Sequence, residues 1–243
     1  MTTITQKILS CHTYDALPNR HIIQSPFRKK RHISFGIILW CESTDECLLV
    51  RSQQSYAYNL FLSGMYRKTD LKNILTNMTQ SELTTIYHLF VGAKTFEQVY
   101  KGSFLCQAQD RFYDIRPFLK PYLLVVKGNL YPHWTFPKGR MEHRETPFQC
   151  ALREFNEEAG FDLTKTPGVS CFYDNMQFSE VYTSFDHEIY ETQCWFMKID
   201  HPIVLTQPQG EEIAERKWVK ISEINTYLSS SKQNMLNQAL LQV

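Results

Sequence analysis

The 243-residue chain carries 26 Lys and Arg against 25 Asp and Glu, with 43% hydrophobic and 14% aromatic residues. That size and balance fit one large domain or one domain carrying an insertion, argue against general disorder, and leave any polyanion site to local patches. No apolar run reaches the length of a membrane span and the polar start MTTITQKILSCHTYDALPNR lacks the order of a secretory signal. These features point to a cytosolic setting without a membrane, in which the seven scattered cysteines are reduced thiols and not a disulfide framework or a zinc site.

In chain order, residues 1–32 form a polar segment ending in a basic knot, FRKKRH, that holds Arg28, Lys29, Lys30 and Arg31. From Ile33, ISFGIILW, ESTDE and CLLVRS read as two strands around a turn, a β-hairpin within the main sheet. Residues 55–119 change character: helical spacing dominates, and Thr79-Gln80-Ser81-Glu82 is a capping box ahead of Leu83, Ile86, Tyr87, Leu89 and Phe90. This stretch reads as a mostly helical insertion between sheet elements at 33–54 and 120–243. After Pro121, YLLVVKG reads as a strand. Beyond residue 162, VSCFYD, YETQCWFMKID and RKWVKI read as further strands, and an amphipathic helix from about Glu223 through Tyr227, Leu228, Met235 and Leu240 closes the chain. The fold class expected is α/β with a mixed sheet.

The stretch FPKGRMEHRETPFQCALREFNEEAGFD concentrates carboxylates. Thr146-Pro147 starts a helix, with Gln149 placed to return a bond to the cap, and Gly160 ends it. Phe148, Ala151, Leu152 and Phe155 fall on one buried stripe, while Glu154, Glu157 and Glu158, at i, i+3 and i+4, share another surface. On a solvated face such like-charge pairs cost only roughly 0.2–0.5 kcal/mol each. In a partly enclosed site at an effective dielectric of ~20 and ~6 Å the repulsion rises to about 3 kcal/mol per pair, and a divalent cation is the natural relief. Oxygen ligands at this density suit Mg2+ or Mn2+.

The wider spacing is specific. Gly139, five residues, Glu145, seven residues, then Arg153-Glu154-Phe155-Asn156-Glu157-Glu158-Ala159-Gly160-Phe161 fill every fixed position of G-x5-E-x7-R-E-U-x-E-E-x-G-U, where U is bulky and apolar. On these residues the chain resembles the Nudix family. The resemblance implies a Nudix α/β/α sandwich with a mixed sheet and cleavage of a pyrophosphate bond with Mg2+ or Mn2+. It implies metal binding by Glu154, Glu157 and Glu158 with the carbonyl of Gly139, and a structural pairing of Glu145 with Arg153. Glu212-Ile213-Ala214-Glu215-Arg216-Lys217-Trp218 matches E-I-x-x-x-x-W of decapping members, which makes Glu212 the expected general base or further metal ligand, with Glu211 and Glu215 as fallbacks.

Substrate choice lies outside the box. WTFPKG resembles the W-x-x-P-K-G entry of decapping and diadenosine-polyphosphate hydrolases and poises Lys138 for a phosphate. The layout from about residue 33, with YAYNLFLSGMY and NMTQSEL in the insertion, resembles Nudix decapping proteins of large cytoplasmic DNA viruses, of the African swine fever virus type. The resemblance implies an mRNA decapping enzyme that releases m7GDP and 5′-monophosphate RNA, in the cytoplasm (the host cytoplasm if the source is viral), with capped mRNA as partner and no obligate protein partner inferable. The alternatives are a hydrolase of diphosphoinositol or diadenosine polyphosphates and, from another class, a non-catalytic Nudix module that binds RNA or protein. Arg28, Lys29, Lys30 and Arg31 can track an RNA backbone, although such a run is more often a solvated linker. Tyr56, Tyr58 and Phe61 can stack on a cap base, although core packing is the commoner role.

Overall fold

The computed structural model describes residues 31–130, 133–171, 177–184, 187–206 and 212–242. By its internal contacts the chain divides into two compact units, one of residues 1–51, 134–184 and 188–243, the other of 52–133 with 185–187.

The first unit opens on β1 (Arg31–Cys41) and β2 (Glu46–Ser52), the hairpin legible in the sequence. The second unit follows with α1 (Tyr56–Ser63), α2 (Leu71–Thr76), α3 (Gln80–Val91), α4 (Phe96–Val99) and α5 (Leu105–Leu123). The capping box at Thr79 and Glu82 forms at the start of α3. Its Glu82 is buried and also accepts from the Ser55 peptide N–H at 2.6 Å and the Ser55 hydroxyl at 2.7 Å, so one carboxylate ties the starts of α1 and α3 together. Tyr58 and Phe61 are buried, at 5% and 2% exposure, in this unit's own apolar core, whereas Tyr56 is exposed. Core packing is therefore the role of Tyr58 and Phe61, and neither presents a ring for stacking.

YLLVVKG is not a strand. Helix α5 runs through both Pro117 and Pro121 to Leu123, and Val125 and Val126 follow in a turn on Tyr122. A proline ends a helix only where the lost N–H and the displaced carbonyl matter; both prolines lie on the exposed side of α5, where water serves the carbonyl. Tyr122, Leu123 and Val126 pack on the helical core, and the Asn129 peptide N–H donates to the Met78 carbonyl while its carbonyl accepts from the Gln80 N–H, so the helical unit extends past residue 119 to 133.

The chain re-enters the first unit through β3 (Trp134–Thr135), β4 (Lys138–Gly139) and α6 (Pro147–Ala159), and continues with β5 (Val169–Cys171), β6 (Gln177–Thr183), β7 (Ile189–Ile199), β8 (Ile213–Lys220) and α7 (Ser230–Leu240). These strands form one mixed sheet of eight in the order β3-β2-β1-β7-β5, with β4 on β1, β6 on β7 and β8 on β2. Its spine is the parallel pair β1 and β7, in unbroken register from Arg31 opposite Ile189 to Cys41 opposite Ile199.

Side-chain alternation builds the two layers. Phe35, Ile37 and Leu39 with Trp195, Met197 and Ile199 meet Phe148, Ala151 and Phe155 of α6 on one face. Ile38, Cys194, Phe196 and Phe178 meet Met235, Leu236 and Ala239 of α7 on the other. The result is the expected α/β/α sandwich. The final amphipathic helix is two pieces: a 3-10 turn at Ile221–Thr226, then α7 beginning after Ser229. Ile224 and Leu228 face the same core as α7, which is why their periodicity reads as one helix. Among the described residues no helix is long and apolar enough to cross a membrane, and the described thiols Cys41, Cys47, Cys106, Cys150 and Cys194 are free.

Candidate active site

Helix α6 starts and stops as its residues dictate. Thr146 and Gln149 close a capping box, Pro147 takes the first helical position, and Gly160 ends the helix at φ 80°, a left-handed conformation that favours glycine. The apolar stripe anchors the helix under the sheet and turns its carboxylates toward β4.

Arg153 is the hub of the acidic surface. Its guanidinium meets Glu145 in a two-pronged pair, with Nε at 3.1 Å and Nη2 at 2.8 Å, and donates to the Arg140 carbonyl at 3.0 Å, fixing the 140–145 loop to the helix. Its Nη1 reaches Glu154 at 2.8 Å and Glu157 at 3.2 Å. The hydrogen bonds from Arg153 hold the Glu145 carboxyl down at about 2, and the same pairing raises the Arg153 guanidinium above its ordinary range. Glu157 is mostly exposed.

Glu154 and Glu158 lie deeper. Burial raises both carboxyls, Glu158 to about 7. The Lys138 charge and the Lys138 peptide N–H, which donates to Glu158 at 2.8 Å, oppose the rise, while the charges of Glu154 and Glu212 add to it. For Glu154 the Arg153 bonds oppose burial, and Glu157 and Glu212 add to it. Glu212, exposed one residue before β8, is thus within electrostatic reach of both buried carboxylates. A Cβ at Gly139 would overlap the Glu154 carboxylate, so only glycine lets the β4 backbone approach it this closely.

The structure therefore brings Gly139, Lys138, Glu145, Arg153, Glu154, Glu157, Glu158 and Glu212 to one place. It does not bring the others there. Arg31 starts β1 in an ion pair with Glu191 at 2.7 Å, Glu215 is committed to Arg51 at 2.7 Å, and Arg28, Lys29, Lys30 and Glu211 lie outside the described residues. Among the described residues no three His, Cys, Asp or Glu side chains stand in a ready-made metal-binding group. The donor chemistry fits a hard divalent cation all the same: carboxylates under mutual repulsion, those of Glu154 and Glu158 raised by burial, beside a backbone cleared of any side chain.

The family model described as NUDIX domain matches residues 115–239, just over half of the chain. The chain belongs to the Nudix family. Nudix hydrolases act on pyrophosphate bonds and generally use divalent ions such as Mg2+ or Mn2+. Among curated relatives, the mRNA-decapping protein g5R of African swine fever virus is 25% identical over 206 residues, covering 79% of this chain and 83% of that protein. The m7GpppN-mRNA hydrolase of Saccharomyces cerevisiae is 38% identical over 58 residues, 24% of this chain and 5% of that one. The bis(5′-nucleosyl)-tetraphosphatase of Sus scrofa is 51% identical over 41 residues, 17% of this chain and 28% of that one.

Arg216 joins the site through backbone contacts that no side-chain motif marks. Arg216 of β8 donates from Nε to the Glu158 carbonyl at 2.6 Å and from Nη2 to the Glu157 carbonyl at 3.4 Å, satisfying the open carbonyls at the end of α6. Gly160 leaves room for it, since a Cβ there would meet the guanidinium. Its cation also favours the negative end of the helix dipole, just where Glu157 and Glu158 add more negative charge.

Proposed function

We propose that this protein removes the 5′ cap of mRNA, hydrolysing the cap pyrophosphate to m7GDP and a 5′-monophosphate RNA. The observation that carries the reading is the likeness to the viral decapping protein g5R over 79% of the chain, far beyond the box alone. The retained box carboxylates favour a catalyst over a module that only binds RNA or protein.

In this reading Glu154, Glu157 and Glu158, the Gly139 carbonyl and Glu212 hold Mg2+ or Mn2+. The ion, when bound, supplies positive charge against the phosphate oxygens as the phosphoryl group transfers. Glu212, on a loop and exposed, takes the proton of the attacking water. Lys138 orients a phosphate through its ammonium while its peptide N–H holds Glu158 in place. Glu145 and Arg153 keep the 140–145 loop on the helix, so that Gly139 and Glu154 stay in register. The setting proposed with this function is the cytoplasm, the host's if the source is a virus.

The second reading is hydrolysis of dinucleoside polyphosphates, favoured by the 51% identity to the tetraphosphatase over 41 residues. Cap-labelled RNA incubated with the protein and Mn2+ yields labelled m7GDP if the first reading holds. Cleavage confined to dinucleoside polyphosphates or diphosphoinositol polyphosphates refutes it.

A further inference from the structure

Three non-glycine residues among those described have a positive φ: Asp45 at 52°, Arg144 at 75° and His187 at 65°. A side chain in that left-handed region is strained, and Asp and His tolerate it better than Arg does. Two of the three side chains have a partner within the chain. The Asp45 carboxylate accepts from the Trp40 indole N–H at 3.1 Å, and the His187 imidazole meets the Asp70 carboxylate at 3.1 Å. Arg144 is exposed, and among the described residues its guanidinium has no hydrogen bond or ion pair.

The loop accounts for the Arg144 backbone but not for its side chain. The chain must turn back between Glu142 and Glu145, because the Glu145 carboxylate takes both the Glu142 peptide N–H and the Arg153 guanidinium. Glycine would make that turn without strain. An arginine kept there costs folding stability, which a contact from outside the chain can offset. The place is beside the chemistry: Arg153 joins Glu145 to Glu154 and Glu157, so a single guanidinium spans the interval between the loop and the box carboxylates. Arg140 and His143 are exposed on the same loop, where Glu142 is the one acid within residues 140–144. The Arg140 carbonyl is held by Arg153, so the loop presents its cations from a fixed backbone.

We propose that Arg144 binds a phosphate of the substrate outside the scissile pyrophosphate. This rests on the proposed function and names a residue that sets which substrates bind well. A guanidinium forks onto two phosphate oxygens at once, and one that starts without a partner in the chain gives up no internal ion pair on binding. The phosphate comes either from the first phosphodiester of a capped RNA or from the polyphosphate bridge itself.

The test compares wild type, Arg144→Gly and Arg144→Lys in the full chain. Binding is followed by fluorescence anisotropy with a capped RNA and, by competition, with the cap dinucleotide m7GpppG, each carrying a methylene group in place of the scissile oxygen. Arg144→Gly relieves the backbone, so its thermal midpoint stays level or rises, while its affinity for the RNA falls on the order of tenfold. Its plot of log affinity against log salt is less steep by about 0.7, one phosphate contact on a single strand. Arg144→Lys keeps the slope and loses less affinity. Arg144→Gly that binds both probes as the wild type does, or that loses thermal midpoint together with affinity, overturns the assignment. A wild type that binds the analogues through Arg144 yet cleaves no pyrophosphate overturns the proposed function and supports the assignment. Loss confined to the capped RNA assigns Arg144 to the phosphodiester, and equal loss with m7GpppG assigns it to the bridge.

Discussion

Each unit buries a glutamate at the start or end of a helix, and the two are treated in opposite ways. In the helical unit Glu82, 6% exposed, is saturated by three donors: the Ser55 peptide, the Ser55 hydroxyl and the Thr79 peptide. In the Nudix unit Glu158 has, among the described residues, one hydrogen bond, from the Lys138 peptide, and burial with two neighbouring carboxylates pushes its carboxyl up to about 7. A buried carboxylate with its donors in place holds structure together. One left short of donors beside others of its kind marks a candidate functional site.

The sharpest break of this comparison exchanges the two residues' fates. Glu158→Gln lowers pyrophosphate hydrolysis roughly a hundred- to thousandfold, while the thermal midpoint stays level or rises because a crowded charge is gone. Glu82→Gln does the reverse, costing about 2–4 kcal/mol in denaturant unfolding of the helical unit with little change in turnover per folded molecule on a small pyrophosphate. Loss of stability from the first, or loss of chemistry alone from the second, defeats the contrast.

Gly139→Ala comes next. The added Cβ displaces the Glu154 carboxylate and lowers kcat on the order of a hundredfold, with a modest stability loss readable by thermal melting. Arg153→Lys keeps the charge and loses the fork that spans Glu145, Glu154 and Glu157, for about 1–3 kcal/mol of stability.

The smallest effect is in pH. Glu145 is held at about 2 in the folded chain against about 4.3 in an unfolded one, so its contribution is complete above pH ~4.3 and is lost as pH falls toward 2. Glu145→Gln flattens the wild-type stability curve in that window and leaves its shape above pH 5 unchanged.

The box helix was legible because its signals are local: cap, proline, apolar stripe and terminal glycine all lie within fifteen residues, and the family resemblance implied the Glu145 and Arg153 pair. Arg216 was hidden because its partners are carbonyls 58 and 59 residues away, which no pattern of side chains marks. Strand β6 went unread because only Phe178 and Glu180 of its seven residues are buried, a weak alternation at a sheet edge. YLLVVKG misled because Pro121 counts as a break in sequence, whereas on the wet side of α5 it breaks nothing that the helix needs. Core packing, the commoner role for aromatics in a helical insertion, is the one that Tyr58 and Phe61 take.

In the proposed function the box carboxylates gather a divalent ion. Titrating Mn2+ into the full chain and following free ion by electron paramagnetic resonance measures this without turnover. Wild-type protein should take up Mn2+ and Glu158→Gln should lose at least tenfold in affinity, about 1.4 kcal/mol; equal uptake by the two would contradict it.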